Sequence, residues 1–273
     1  MATSQDNVLL STSSLSVGYK KKKDTSLIAE AIDLSLQKGE LIAIIGTNGS
    51  GKSTLLKTLA GQIPPLAGNV NLMNKTLSEV KPKDLGMYLS LVLTNESISK
   101  HLSVMELVAL GRHPYTNWLG HLTEKDKIKV YKALSQVDLI QHKNTLCDAL
   151  SDGQFQKVLI ARALAQDTNL ILMDEPTTHL DMYHKAYILQ LLKSIVKNSN
   201  KSIVFASHEI NLSLQLCDKI ILVNNKKASV GTPSELIANN AFDVLFPSDT
   251  IIFDKTSNTF KLKINDDQTT SSL

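Results

Sequence analysis

Three stretches of this chain are apolar without interruption and end where small or charged residues begin. They are LIAII at residues 41–45, LILM within NLILMDEP at 169–176, and IVFA within KSIVFASHE at 201–209. A strand buried on both faces loses the usual alternation and reads as a continuous apolar run, so all three are predicted central strands of a parallel sheet. Residues 8–45 contain shorter β segments leading into the first run, and residues 69–93 add more strand after the turn PPLAG at 64–68. From Ser97 to about Leu150 the period becomes helical. TEKDKIKVYKALSQVDL opens with a Thr123/Asp126 capping box and is predicted to place Ile128, Tyr131 and Leu134 on one face. LSDGQFQKVLIARALAQD at 150–167 begins with a serine N-cap signal and continues as an amphipathic helix. In YILQLLKSIVK, residues Ile188, Leu191, Leu192, Ile195 and Val196 form an apolar stripe that reads as core. Near the end, Phe260, Leu262 and Ile264 alternate in TIIFDKTSNTFKLKI, which predicts a small hairpin, and after Asn265 the polar composition predicts disorder.

Strands interleaved with helices indicate an α/β fold, and 273 residues allow one sizeable domain with a small subdomain. Hydrophobic residues make up 42% of the chain, enough for a substantial core. The net charge of +3 is too weak to argue for a nucleic-acid partner, and the basic run from Lys20 to Lys23 reads as a solvated loop. Cys147 and Cys217 stand far apart in no metal-ligand spacing, as expected of reduced thiols in a cytoplasmic protein. The opening MATSQDNVLL lacks the basic and long apolar regions of a signal peptide. No apolar run approaches the ~20 residues that span a bilayer. Work at a membrane would therefore go through something already embedded there.

Chemistry enters directly after the first strand. GTNGSGKST fits the spacing G-x-x-x-x-G-K-[ST], with Gly46, Gly51, Lys52 and Ser53 in place. Glycines let successive backbone N–H groups face one cavity, and the helix that follows adds its positive N-terminal end. Gly46, Thr47, Asn48, Gly49, Ser50, Gly51, Lys52, Ser53 and Thr54 are thus candidate contacts to a nucleoside triphosphate. Lys52 would reach the β- and γ-phosphates and Ser53 would ligate Mg²⁺. The second strand ends in Asp174 and Glu175. Ligands bind at the carboxyl ends of parallel strands, so Asp174 is expected to hold the Mg²⁺ hydration shell opposite Ser53, and Glu175 to act as general base on water. His208 falls just past the third strand at the same sheet edge, where a γ-phosphate contact is the better reading.

A Ser-x-Gly turn at the start of the 150–167 helix is a second anion-binding element in one chain. These motifs together resemble the ATP-binding subunit of ABC transporters over nearly all of residues 8–240. Ser151, Gly153 and Gln154 match the family's Leu-Ser-Gly-Gly-Gln signature. The resemblance implies a P-loop NTPase core with a mostly parallel sheet, an antiparallel β subdomain and a small helical subdomain at about 97–165. It also implies an ATP-binding domain over 1–240, with residues 241–273 as a hairpin extension and polar tail. Two subunits would pack head to tail, the signature of one closing on the ATP of the other. Tyr19 looks like the aromatic that stacks on adenine, TTHLD at 177–181 like the turn that touches the partner's site through Asp181, and His208 like the family's switch histidine. No internal repeat supplies the second copy, so a homodimer is expected.

Two positions depart from the family pattern. Asp152 replaces the first signature glycine, as in importers of the iron-siderophore type. No glutamine occurs from Asp84 to Arg112, where the family carries its Mg²⁺-sensing residue, and Thr94 or Asn95 is the expected substitute. SVMELVALGRHPYTNWLG at 103–120 resembles the segment by which importers for iron-siderophore complexes, haem and cobalamin receive a helix of their permease. Trp118, Tyr115, Leu119 and Arg112 suit such an interface. The expectation is an ATP- and Mg²⁺-dependent ATPase at the cytoplasmic face of the membrane. It would serve an integral-membrane permease and, indirectly, a substrate-binding protein, with iron-siderophore as leading cargo. The alternatives are a haem or cobalamin importer ATPase, a soluble ABC ATPase of cluster assembly, and a nucleotide-binding module without hydrolysis.

Overall fold

A computed structural model describes residues 7–20, 24–93, 98–246 and 250–263. The chain runs through β1 (Val8–Lys20), β2 (Thr25–Ile32), β3 (Ser35–Gln37), β4 (Leu41–Ile45), α1 (Lys52–Leu59), β5 (Ala67–Leu72) and β6 (Lys75–Thr76). It continues with α2 (Pro82–Tyr88), β7 (Leu89–Val92), α3 (Val104–Ala109), α4 (Glu124–Gln136), α5 (Asp152–Ala165), β8 (Leu170–Asp174) and α6 (Met182–Ser199). Then come β9 (Ser202–Ser207), α7 (Ile210–Leu216), β10 (Lys219–Asn224), β11 (Lys227–Gly231), α8 (Pro233–Ala238), β12 (Ile251–Asp254) and β13 (Thr259–Leu262).

The three apolar runs become β4, β8 and β9, every residue of which is buried. They sit in a six-stranded sheet of order β11-β10-β4-β9-β8-β7. All neighbours pair in parallel except β10 with β11. The side chains of β4 alternate between two cores: Leu41, Ala43 and Ile45 face one, Ile42 and Ile44 the other. On the first side lie α5 and α6, through Val158, Ile160, Ile188, Leu192 and Val196. On the second lie α1 and the antiparallel sheet β2-β1-β5-β6, through Leu55, Leu59, Leu10 and Val70. A three-layer α/β architecture with an added antiparallel sheet follows from that alternation. Helices α3, α4 and α5 pack on one another beside this core.

The capping box at Thr123/Asp126 is present: Thr123 Oγ1 accepts from the Asp126 N–H at 3.3 Å, and the Asp126 carboxylate accepts from the Thr123 N–H at 2.9 Å. The apolar face assigned to that helix needs correction. Ile128 and Tyr131 are exposed, and α4 buries Val130, Ala133 and Leu134, which lie on its side toward α3 and α5. Residues 82–88, read as strand, form α2, with Pro82 at its first turn, where a missing N–H is harmless. In α6, Ile188, Leu192, Ile195 and Val196 are buried as the stripe predicts, while Leu191 is only half-buried and Leu189 is buried in addition. The terminal hairpin pairs β12 with β13. Phe253 stacks on Phe242 at 5.1 Å between centroids, and Phe260 meets Phe242 edge-on at 6.4 Å. Ile264 and the tail lie outside the described residues, as do Thr94 and Asn95.

Candidate functional site

Glycine at 51 is dictated by its surroundings. Its φ is +100°, and a Cβ there would lie 2.0 Å from Ile28 Cγ2 on β2. It serves as N-cap of α1, so the N–H groups of the first turn are left pointing into the loop. Gly46 is equally confined, since a Cβ would meet the Val223 carbonyl at 2.3 Å and Ser50 Oγ at 2.5 Å. Ser50 Oγ is buried and finds no hydrogen-bond partner among the described residues. An orphaned hydroxyl inside a glycine cradle at a helix N-terminus fits a ligand that brings its own oxygens.

Lys52 follows, with only 4% of its surface exposed. Its Nζ donates to the carbonyls of Gly46 at 3.1 Å and Thr47 at 3.0 Å. Burial pushes its pKa down, while the carboxylates of Glu175 and Asp174 pull it back up. The ammonium is therefore desolvated and held close to the loop, where phosphate oxygens would be better partners than carbonyls. Ser53 Oγ donates to Asp174 Oδ1 at 2.8 Å. Burial drives the Asp174 carboxyl above its ordinary range, against the Ser53 hydrogen bond, with Glu175 adding repulsion. A hydroxyl and a buried carboxylate side by side are hard oxygen donors of the kind Mg²⁺ selects, so this pair fits the ion.

Strand register explains the rest. Asp174 pairs with Ala206, so the residues just beyond the ends of β8 and β9 emerge together. Glu175 donates its N–H to the Ala206 carbonyl at 3.1 Å, and His208 Nε2 stands 2.7 Å from Glu175 Oε1. Glu175 has φ +48°, a left-handed conformation uncommon outside glycine and held here by both contacts. Its second oxygen accepts from Thr178 Oγ1 at 2.9 Å. Thr178 was missed by sequence reading, although its position three residues after Glu175 in a turn was a usable signal. Tyr19, 44% exposed, reaches the same neighbourhood with its hydroxyl 3.2 Å from Thr54 Oγ1.

The site residues divide into two surfaces. Ser53, Asp174, Glu175 and Thr178 line a cleft of about 410 Å³ with Asp152, Phe155 and Lys100 of the helical side. Ser151, Gly153 and Gln154 line a separate cavity of about 160 Å³ with Tyr183, His184 and Tyr187. Ser151 caps α5 in a capping box with Gln154, accepting its N–H at 3.3 Å. Asp181 caps α6, accepting the His184 N–H at 2.8 Å. Asp152 is exposed in the first turn of α5, a position where the helix end favours a carboxylate.

The family model for ABC transporters matches residues 29–178, more than half of the chain. The chain belongs to the ABC transporter family. Its ATP-binding domain is that of an ATPase, and its substrate is ATP. The iron(3+)-hydroxamate import ATP-binding protein of Bacillus subtilis is 35% identical over 243 residues, covering 88% of this chain and 88% of that protein. Among solved structures, a chain from an ABC transporter assigned to the metal-chelate type, in an inward-facing conformation, matches with TM-score 0.76 and 29% identity, covering 88% of this chain and 89% of that one. A dimeric ATP-binding cassette in a post-hydrolysis state, bound to ADP and phosphate, matches with TM-score 0.70 and 26% identity over 82% of this chain and 99% of that one. No helix among the described residues of this ABC ATPase is long and apolar enough to cross a membrane.

Proposed function

We propose that this ABC ATPase works as a head-to-tail homodimer that powers an importer for iron-siderophore complexes through a membrane permease. One observation supports the two-copy reading: Ser151, Gly153 and Gln154 of the signature turn line a cavity apart from the cleft of Ser53, Asp174 and Glu175, and only Asp152 of that turn reaches the cleft. Ser151, Gly153, Gln154 and Asp181 then serve the ATP of the second copy. Residues 1–240 form the ATP-binding domain, with about 97–165 as its helical subdomain, and 241–273 an extension.

Within each half, Gly46 to Thr54 cradle the phosphates, Tyr19 stacks on the adenine, and Lys52 offsets the charge of the β- and γ-phosphates. Ser53 and Asp174 would hold Mg²⁺, which would supply charge neutralisation at those phosphates. Glu175, placed by Thr178 and His208, orients a water for in-line attack on the γ-phosphorus and accepts its proton. His208 donates toward the developing negative charge. Closing and reopening of the dimer moves the permease.

The permease face is read at residues 110–119. Trp118 is 91% exposed, and Leu119 and Tyr115 are exposed beside it, an apolar group that water disfavours unless a partner covers it. Arg112, expected at this face, is buried instead: its Nε donates to Asp126 Oδ1 at 2.9 Å and its Nη1 to the Ala165 carbonyl at 2.8 Å. It shapes the face from beneath, stacking 4.0 Å from the centroid of the Tyr115 ring. The cargo assignment draws support from the iron(3+)-hydroxamate relative. Co-purification tests the reading. The tagged chain, extracted from native membranes in mild detergent, should bring a polytopic permease whose ATPase is stimulated by a binding protein loaded with iron-siderophore. Stimulation by haem- or cobalamin-loaded protein would change the cargo. A chain that stays soluble without a permease would contradict the importer.

A further inference from the structure

His184 appears in none of the motifs, yet it bridges two of them. On one side its Nδ1 lies 2.9 Å from both oxygens of Asp181, and its backbone N–H donates to Asp181 Oδ1 at 2.8 Å. Those bonds to His184, the backbone one foremost, hold the Asp181 carboxyl below the usual range. On the other side the ring edge covers Gly153. A Cβ at Gly153 would stand 2.9 Å from His184 Cδ2 and 3.6 Å from its Nε2. A side chain at this signature position would meet the imidazole and require the ring to move. Tyr183 meets the ring edge-on at 5.4 Å between centroids.

We infer that His184 is a positioning residue that locks the signature turn (residues 151–154) to the turn ending at Asp181, so that both are presented to a second copy as one rigid surface. This rests on the proposed role of those two turns at the second copy's ATP. The chemistry suits the task. With its proton on Nδ1, imidazole satisfies the carboxylate, while its flat edge packs on glycine backbone. Movement of either turn is then transmitted to the other through one ring, and the cavity between them stays small.

Hydrogen–deuterium exchange on the full chain tests the coupling without requiring a dimer. His184→Ala should speed exchange in residues 152–155 and in 181–185 together, with an unchanged urea midpoint showing that the fold survives. His184→Asn places an amide donor near the Nδ1 position but has no ring edge. It should restore protection at 181–185 and leave 152–155 fast. If His184→Ala alters neither segment, or only 181–185, the inference fails. A second arm reads function in a Glu175→Gln background. Adding His184→Ala should raise the ATP concentration needed for dimerisation at least tenfold while leaving nucleotide affinity of the monomer unchanged. An unchanged requirement would overturn the inference. If the Glu175→Gln chain itself does not dimerise, the two-copy reading is what fails, and the exchange data still decide the coupling.

Discussion

At the scale of single residues, burial sets the chemistry of the glycine-loop site. Lys52 and Asp174 are both desolvated, and each is shifted toward its neutral form. Lys52→Ala should reduce ATP hydrolysis about a hundredfold or more, the loss seen when one preorganised charge-stabilising donor is removed. A phosphate-release assay reads it, and near-normal turnover would contradict the assignment. Asp174 carries a pH signature. Its folded pKa lies above the ordinary 3.8, so its contribution to stability is fully present below 3.8 and is lost as pH rises through the raised value. At pH 7 the ionised carboxylate therefore destabilises the nucleotide-free fold. Asp174→Asn should raise the urea midpoint at pH 7, with the gain shrinking toward pH 4, while hydrolysis collapses. A lower midpoint at pH 7 would show that the couplings to Lys52 and Ser53 outweigh burial.

At the scale of elements, a buried ion pair ties the 3-10 turn Leu110–Tyr115 to α4 and α5. Arg112 and Asp126 meet at 2.9 Å with side chains 8% and 5% exposed, and Arg112 also holds the end of α5 through Ala165. Asp126 caps α4 as well. Asp126→Ala leaves a guanidinium buried without its counter-ion, which costs about 3–5 kcal/mol. Urea unfolding at pH 7 measures that loss. The folded pKa of Asp126 is depressed, chiefly by the Thr123 hydroxyl. Its stabilisation is thus present above 3.8 and lost as pH falls through the depressed value, so variant and wild type should converge only in strong acid. The elements also show what the sequence could reveal. Strands β4, β8 and β9 were legible because burial on both faces leaves unbroken apolar runs. The face of α4 was not, because Ile128 and Tyr131 satisfy the helical period as well as Val130 and Leu134 do. Only the position of α3 and α5 selects between the two faces. Helix α2 was hidden by its shortness and by Gly86, which packs against Pro114 instead of adding helix propensity.

At the scale of the whole molecule, the sheet assembles a site whose parts are far apart in sequence. Ser53 and Asp174 are separated by 121 positions and Glu175 and His208 by 33, yet both pairs are in hydrogen-bond contact. Local motifs named these residues, but the His208–Glu175 contact depends on the β8–β9 register, which no local pattern encodes. The division into two surfaces, and the ring of His184 between the signature and aspartate turns, likewise arise only from packing. The proposed homodimer makes ATP the joint between two copies, and that proposal has a direct measurement. Light scattering on the Glu175→Gln chain with ATP and Mg²⁺ should show a mass twice the monomer's 29.9 kDa, with unhydrolysed ATP retained and turnover reduced at least about a hundredfold. A Glu175→Gln chain that remains monomeric at saturating ATP, or turns over ATP at the wild-type rate, would contradict the account.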